Sequence, residues 1–153
     1  MEVFDKTKSE LQTLSNSELL SIVILLCIGF FTFTRGLYWF LSGEKAINES
    51  DFYNTLHELM PLEYWGILFM IAGALISLSS RNIATRSINK SYGVQLILGG
   101  GLSALLYIII AMAGYEHGIN WLTPVQSTIL SVMHIFLMLL GGLHFAKSRF
   151  KQK

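Results

Sequence analysis

An imidazole and a guanidinium stand inside otherwise uncharged apolar stretches of this 153-residue chain, and any chemistry it performs would start from them. His134 lies midway along Thr123 to Ala146, on a helical stripe with Ser127, Ser131 and Gly141. Arg35 interrupts the run from Leu19 to Leu41. In hydrocarbon an ionisable side chain is costly, so each is by default a functional hypothesis. For His134 one reading is a proton relay or ligand role. The other, which weighs more, is a neutral ring hydrogen-bonded across a packed helix seam near Tyr107, because polar residues commonly tie membrane helices together. For Arg35 the structural reading is a cation held over Tyr38 and Trp39, three and four residues on, and neutralised by Glu63 or Glu58. The functional one is an anion or lipid-headgroup site, or a contact between subunits.

Other chemistries lack their residues. A bis-histidine haem needs a second intramembrane histidine at the same depth. His57 and His117 fall in polar connections, and His144 is ten residues beyond His134, about 15 Å along one helix. Only a symmetric oligomer juxtaposing two copies of His134 would change that. The one cysteine, Cys27, allows no intrachain disulfide and no CxxC pair. With no Gly-rich phosphate loop, nucleophile elbow, acid pair or metal-ligand spacing, the sequence points away from an enzyme, a cofactor, a metal and a nucleic-acid partner.

The elements that must position these groups are membrane helices. Hydrophobic residues are 52% of the chain and charged ones 14%, against about a quarter charged in soluble domains. The apolar residues lie in blocks that each cover a hydrocarbon core of about 30 Å, where backbone groups must be satisfied within the segment. The spacing predicts an all-α, integral membrane four-helix bundle as a single domain over 1–153, with spans at 17–41, 62–80, 92–115 and 124–146. The first span is long and ends in Thr34-Arg-Gly-Leu-Tyr-Trp-Phe40, so it reads as retained rather than as a cleaved signal. Between the first two spans, residues 51–60 place Phe52, Tyr53, Leu56, Leu59 and Met60 on one arc. This predicts a short amphipathic interfacial helix, too short to span.

Basic residues set the orientation, because short loops rich in Lys and Arg stay cytoplasmic. Lys6, Lys8, Arg81, Arg86, Lys90, Lys147, Arg149, Lys151 and Lys153 all fall before the first span, between the second and third, or after the fourth. The two remaining loops carry Glu44, Glu49, Asp51, Glu58, Glu63 and Glu116 beside Lys45, flanked by Tyr38, Trp39, Tyr64, Trp65, Tyr115 and Trp121. Both termini are therefore expected in the cytoplasm, with the acidic loops outside the cell membrane. The closing basic cluster serves equally as a topology signal and as charge at a helix C-terminus, ahead of any specific lipid role. Ser15 to Glu18 and Thr123 to Gln126 fit the capping-box pattern, and Pro61 and Pro124 suit first helical positions.

Small residues are the best packing clue in lipid, since apolar burial does not drive helices together there. In an antiparallel first pair, Gly36 falls level with Gly66 and Gly29 with Gly73. In an antiparallel last pair, Gly100 would meet Gly142, Ala111 Ser131, and Gly114 Thr128. The plain alternative is that glycine is frequent in membrane helices.

The stretch Met60-Pro-Leu-Glu-Tyr-Trp-Gly-Ile-Leu-Phe69, with Asn120-Trp-Leu-Thr-Pro124, resembles small polytopic proteins encoded by phages and prophages of low-GC Gram-positive bacteria. That resemblance implies a holin-like permeabiliser or a superinfection-exclusion protein and transfers no site residue. The expected activity is thus that of a non-enzymatic, homo-oligomeric membrane protein acting by membrane contact or a permeability change. Its partners would be the lipid bilayer, further copies of itself, or another membrane protein. The alternative is a small channel or transporter subunit using His134 and Arg35.

Overall fold

The computed structural model describes residues 14–47, 50–84, 90–117 and 120–150. Among the described residues there are five helices and no strand: α1 (Asn16–Ile47), α2 (Asp51–Leu59), α3 (Leu62–Ala84), α4 (Lys90–His117) and α5 (Leu122–Phe150). All but α2 are long and apolar enough to cross a membrane, which fits a multi-pass membrane protein. Lys6, Lys8, Glu49, Arg86, Lys151 and Lys153, which enter the charge argument for orientation, lie outside the described residues.

The helix starts follow from local donors and acceptors. Ser15 Oγ accepts from the Glu18 amide at 3.3 Å while the Glu18 carboxylate accepts from the Ser15 amide at 2.8 Å, a reciprocal capping box. At α5 the expected cap moves. Asn120 Oδ1, not Thr123, takes the amides of Leu122 and Thr123, at 3.1 and 3.2 Å. Pro124 then sits inside the first turn, where no intrahelical bond is lost because the opening amides have no partner. Pro61 precedes α3 directly, and its carbonyl accepts from Tyr64 at 3.0 Å. α1 runs to Ile47 rather than stopping near 41, because Gly43 is buried against Leu62 and Glu63 and the helical ladder continues past the apolar run.

The short α2 is capped by Ser50 Oγ on the Phe52 amide and closed by the Met60 amide on the Leu56 carbonyl. Its inward arc is narrower than the sequence predicts. Phe52 and Leu56 are buried, whereas Leu59 is 67% exposed. The helix packs over the other helices, and Trp65 Nε1 holds it there by donating to the carbonyls of Leu56 and Met60, at 3.1 and 2.9 Å.

α1 packs along α3, α4 along α5, and α3 joins the two pairs through α4. Gly29, Thr32, Gly36, Trp39, Gly43 and Ala46 recur at three- and four-residue steps as the buried stripe of α1. A Cβ on Gly66 would lie 2.6 Å from the Gly36 carbonyl oxygen, so these backbones touch, and Gly29 and Gly73 oppose one another in the same way. Two cores result. Trp39, Phe52, Leu56, Trp65, Phe69, Tyr107 and Ile110 fill the end near α2, and Leu25, Ile76, Ile83, Tyr92, Leu96 and Leu137 fill the other.

The α4–α5 seam corrects the expected pairing by about one helical turn. Gly100 faces the backbone of His134 and Met138, Gly141 faces Gly93 and Leu96, and Gly114 faces Pro124. Gly142 meets nothing within 4 Å. Successive residues on a helix point about 100° apart, so with Gly141 at the seam its neighbour Gly142 turns away from it.

Candidate functional site

Unlike α1 with α3 and α4 with α5, α1 and α5 do not pack closely along each other. The opening is a cleft of about 700 Å³ lined by Phe31, Thr34, Arg35 and Tyr38 from α1 and by Gln126, Ile129 and Leu130 from α5. Arg35 projects from α1 towards α4, its Cζ 5.3 Å from the centre of the Tyr107 ring and 5.8 Å from that of Trp39. Each such contact contributes about 0.5–2 kcal/mol, depending on how far the cation is desolvated. The aromatic partners differ in part from expectation. Trp39 takes part, but Tyr107 on α4 replaces Tyr38, because α1 turns Arg35 inward rather than along its own outer face.

The expected neutralisation of Arg35 does not occur. Glu63 lies beside Gly43, about two helical turns from Arg35 along α1, and Glu58 stands with Asp51 and His57 around α2. Among the described residues no carboxylate comes within salt-bridge distance of Arg35, and no protein acceptor takes a hydrogen bond from it. A guanidinium over an aromatic ring engages the ring through its charge and face, which leaves its N–H donors directed outward in its own plane.

Behind the cleft lies a buried polar group. His134 is fully buried, and its ring centre stands 5.2 Å from that of Tyr107 with 31° between the planes. Where the sequence predicts a hydrogen bond across the seam near Tyr107, the two rings instead meet at a tilt. The ring nitrogens go elsewhere. Nδ1 donates to the Leu130 carbonyl, an acceptor only, at 2.6 Å, so the proton of a neutral ring is on Nδ1. Nε2 faces Thr32 Oγ1 at 3.3 Å, and that hydroxyl also lies 2.9 Å from the Ile28 carbonyl. A single hydroxyl proton therefore serves two acceptors when the ring is neutral. In the imidazolium form Nε2 would donate to Thr32 and Thr32 to Ile28, with each acceptor filled.

Three further hydroxyls, of Ser103, Tyr107 and Ser127, are buried with no hydrogen-bond partner, while Ser131 Oγ donates to the Ala104 carbonyl at 3.0 Å. An unpartnered buried polar group costs about 1–3 kcal/mol, so each requires an explanation such as water or a ligand. Phe69 completes the surroundings, edge-on to both Tyr107 and Trp39 at 5.1 and 5.5 Å.

The structure thus brings Arg35, Tyr107 and His134 together and separates Glu63 from them. Gly29, Gly36, Gly66 and Gly73 hold α1 on α3, Gly100 holds α4 on α5, and Gly142 belongs to neither seam. Sequence reasoning did not single out Thr32, although it lies one turn before Arg35 on the stripe of Gly29 and Gly36. It also gave Gln126 only a capping role. No group of three His, Cys, Asp or Glu side chains suited to a metal occurs among the described residues. No protein-family model matches this chain, and neither a curated protein nor a solved structure matches it.

Proposed function

We propose that this chain is a non-enzymatic multi-pass protein of the cell membrane, folded as one four-helix bundle with both termini cytoplasmic. It works by engaging another membrane component at the α1–α5 cleft. The observation that carries this reading is Arg35: a guanidinium held on Tyr107 and Trp39, without a carboxylate partner among the described residues, facing an open cleft. The bundle ends support the orientation. Ser17, Glu18, Ile83, Tyr92 and His144 gather at the end that carries Arg81 and Lys147, while Asp51, Glu58 and His117 gather at the other. Under the positive-inside rule the cleft then opens in the outer half of the membrane. Binding through this cleft is a natural basis for the contact or permeability role of the phage-encoded proteins that the interfacial sequences resemble, with further copies of the chain as additional partners.

The test is made in cells expressing the chain, by following a potential-sensitive dye and challenging with phage. An effect in the wild type should disappear in Ile129→Trp, which fills the cleft, and persist in Leu140→Trp, an exposed position about three helical turns further along α5. Wild-type cells that match the empty control in both assays would remove the proposal.

A second reading, a channel or transporter subunit with a pathway past His134, draws on the unpartnered hydroxyls of Ser103, Tyr107 and Ser127. Ion or solute flux in proteoliposomes should then fall in His134→Leu, and flux equal to that of the wild type would count against it.

A further inference from the structure

Resting on the reading of the cleft as a binding site, we infer that its occupant is an anionic phospholipid, with the phosphate at Arg35 and an acyl chain along α5. Two features of the lining favour this chemistry together. The first is charge: Arg35 presents donors that no protein acceptor takes among the described residues, and a phosphate matches a guanidinium in both charge and fork geometry. The second is polarity along the cleft. Thr34, Arg35 and Gln126 supply polar groups, whereas Phe31, Ile129 and Leu130 supply an apolar wall. A free phosphate would use only the first set. A neutral acyl chain would use only the second, and would leave the guanidinium facing hydrocarbon.

Depth agrees with this assignment. Gln126 lies four residues into α5, about 6 Å below its start by helical rise. Arg35 lies three and four residues inside Tyr38 and Trp39 of the aromatic belt, so the polar part of the cleft lies about one turn inside the interface. A phosphodiester drawn slightly inward reaches that level with its chains still in the bilayer. The guanidinium is also held in place before the lipid arrives, since Tyr107 and Trp39, which form its platform, are themselves buried. Little side-chain freedom remains to be lost on binding.

The full chain, purified in a neutral detergent with equal amounts of phosphatidylglycerol and phosphatidylcholine of matched acyl chains, tests this by native mass spectrometry. The wild type should retain phosphatidylglycerol about tenfold over phosphatidylcholine, which offers the same phosphodiester but brings a quaternary ammonium, a like charge, beside the guanidinium. Arg35→Leu should lose that preference, and Arg35→Lys should keep part of it. Ile129→Trp, which leaves Arg35 in place, should lose bound lipid of both kinds. That variant decides the matter if Arg35→Leu does not fold. Equal retention of the two lipids by the wild type, or an undiminished preference in Arg35→Leu, would overturn the assignment. So would ready displacement of the lipid by inorganic phosphate, because the acyl wall would then contribute nothing. The lipid site and the cellular role fail separately. A cellular effect abolished by Ile129→Trp with no lipid preference sinks the lipid and spares the cleft, while a clear preference, lost in Ile129→Trp, with no cellular effect keeps the lipid site and sinks the cellular role.

Discussion

The α1–α3 seam and the α1–α5 cleft share one helix and use its residues in opposite ways. On one side of α1, Gly29 and Gly36 let the backbone of α3 approach until an added methyl would have no room. On the other, Phe31, Thr34, Arg35 and Tyr38 hold α5 away, and the linking contact is the long bond from Thr32 to His134. In a solvent as apolar as the side chains, association depends on close van der Waals contact and on hydrogen bonds. Helices therefore zip where residues are small and part where one is bulky or charged. A cleft here is a property of sequence placement, as specific as a seam.

Substitutions on the two sides of α1 should behave differently. The largest effect is expected at the seam: Gly36→Leu places side-chain atoms against Gly66 and Met70 and should destabilise by about 3 kcal/mol or prevent accumulation of folded protein. Unfolding in mixed detergent measures it, and Gly142→Leu is the internal control, expected within about 0.5 kcal/mol of the wild type. Equal losses at the two glycines would break the comparison. His134→Leu removes the contacts to Leu130 and Thr32 and should cost about 1 kcal/mol, with a coupling of about 0.6 kcal/mol to Thr32→Val in a double-mutant cycle. Ser131→Ala breaks only the bond to the Ala104 carbonyl and should cost about 0.6 kcal/mol. Arg35→Leu sharpens the contrast most. It forfeits cation–π contacts of about 1 kcal/mol each but also a charge whose placement in a span costs about 2.5–3.5 kcal/mol. Thermal stability in detergent should be unchanged or raised, unlike that of every seam variant.

Much of this arrangement is legible in the sequence, for physical reasons that differ by region. Hydropathy locates the four long helices, and Ser15 with Glu18 marks the first start, because these signals are local. The level of Gly36 with Gly66 is also readable, since the few residues of sequence on either side of the short α2 limit how far α1 and α3 can slide. The α4–α5 level is not. Gly99, Gly100, Gly101, Gly141 and Gly142 offer several adjacent small residues, and which of them meet depends on helix rotation. In the structure Gly99 serves α3 while Gly100 serves α5. The partnership of Arg35 with Tyr107 is equally beyond local reasoning, as it joins α1 to α4 between residues far apart in the sequence. The loss of Glu63 as its counter-ion follows once α1 is seen to continue to Ile47 and carry Gly43 past that carboxylate.

The most direct test asks whether α1 and α5 stay apart in a bilayer. Spin labels are placed one at a time, in a Cys27→Ser background, at Thr34 in the cleft, at buried Ile110 and at exposed Leu140. Their relaxation by lipid-soluble oxygen is then compared in nanodiscs. Position 34 should behave more like position 140 than like position 110. Oxygen access at 34 as low as at 110 would mean that the helices close on each other, and would contradict an open cleft.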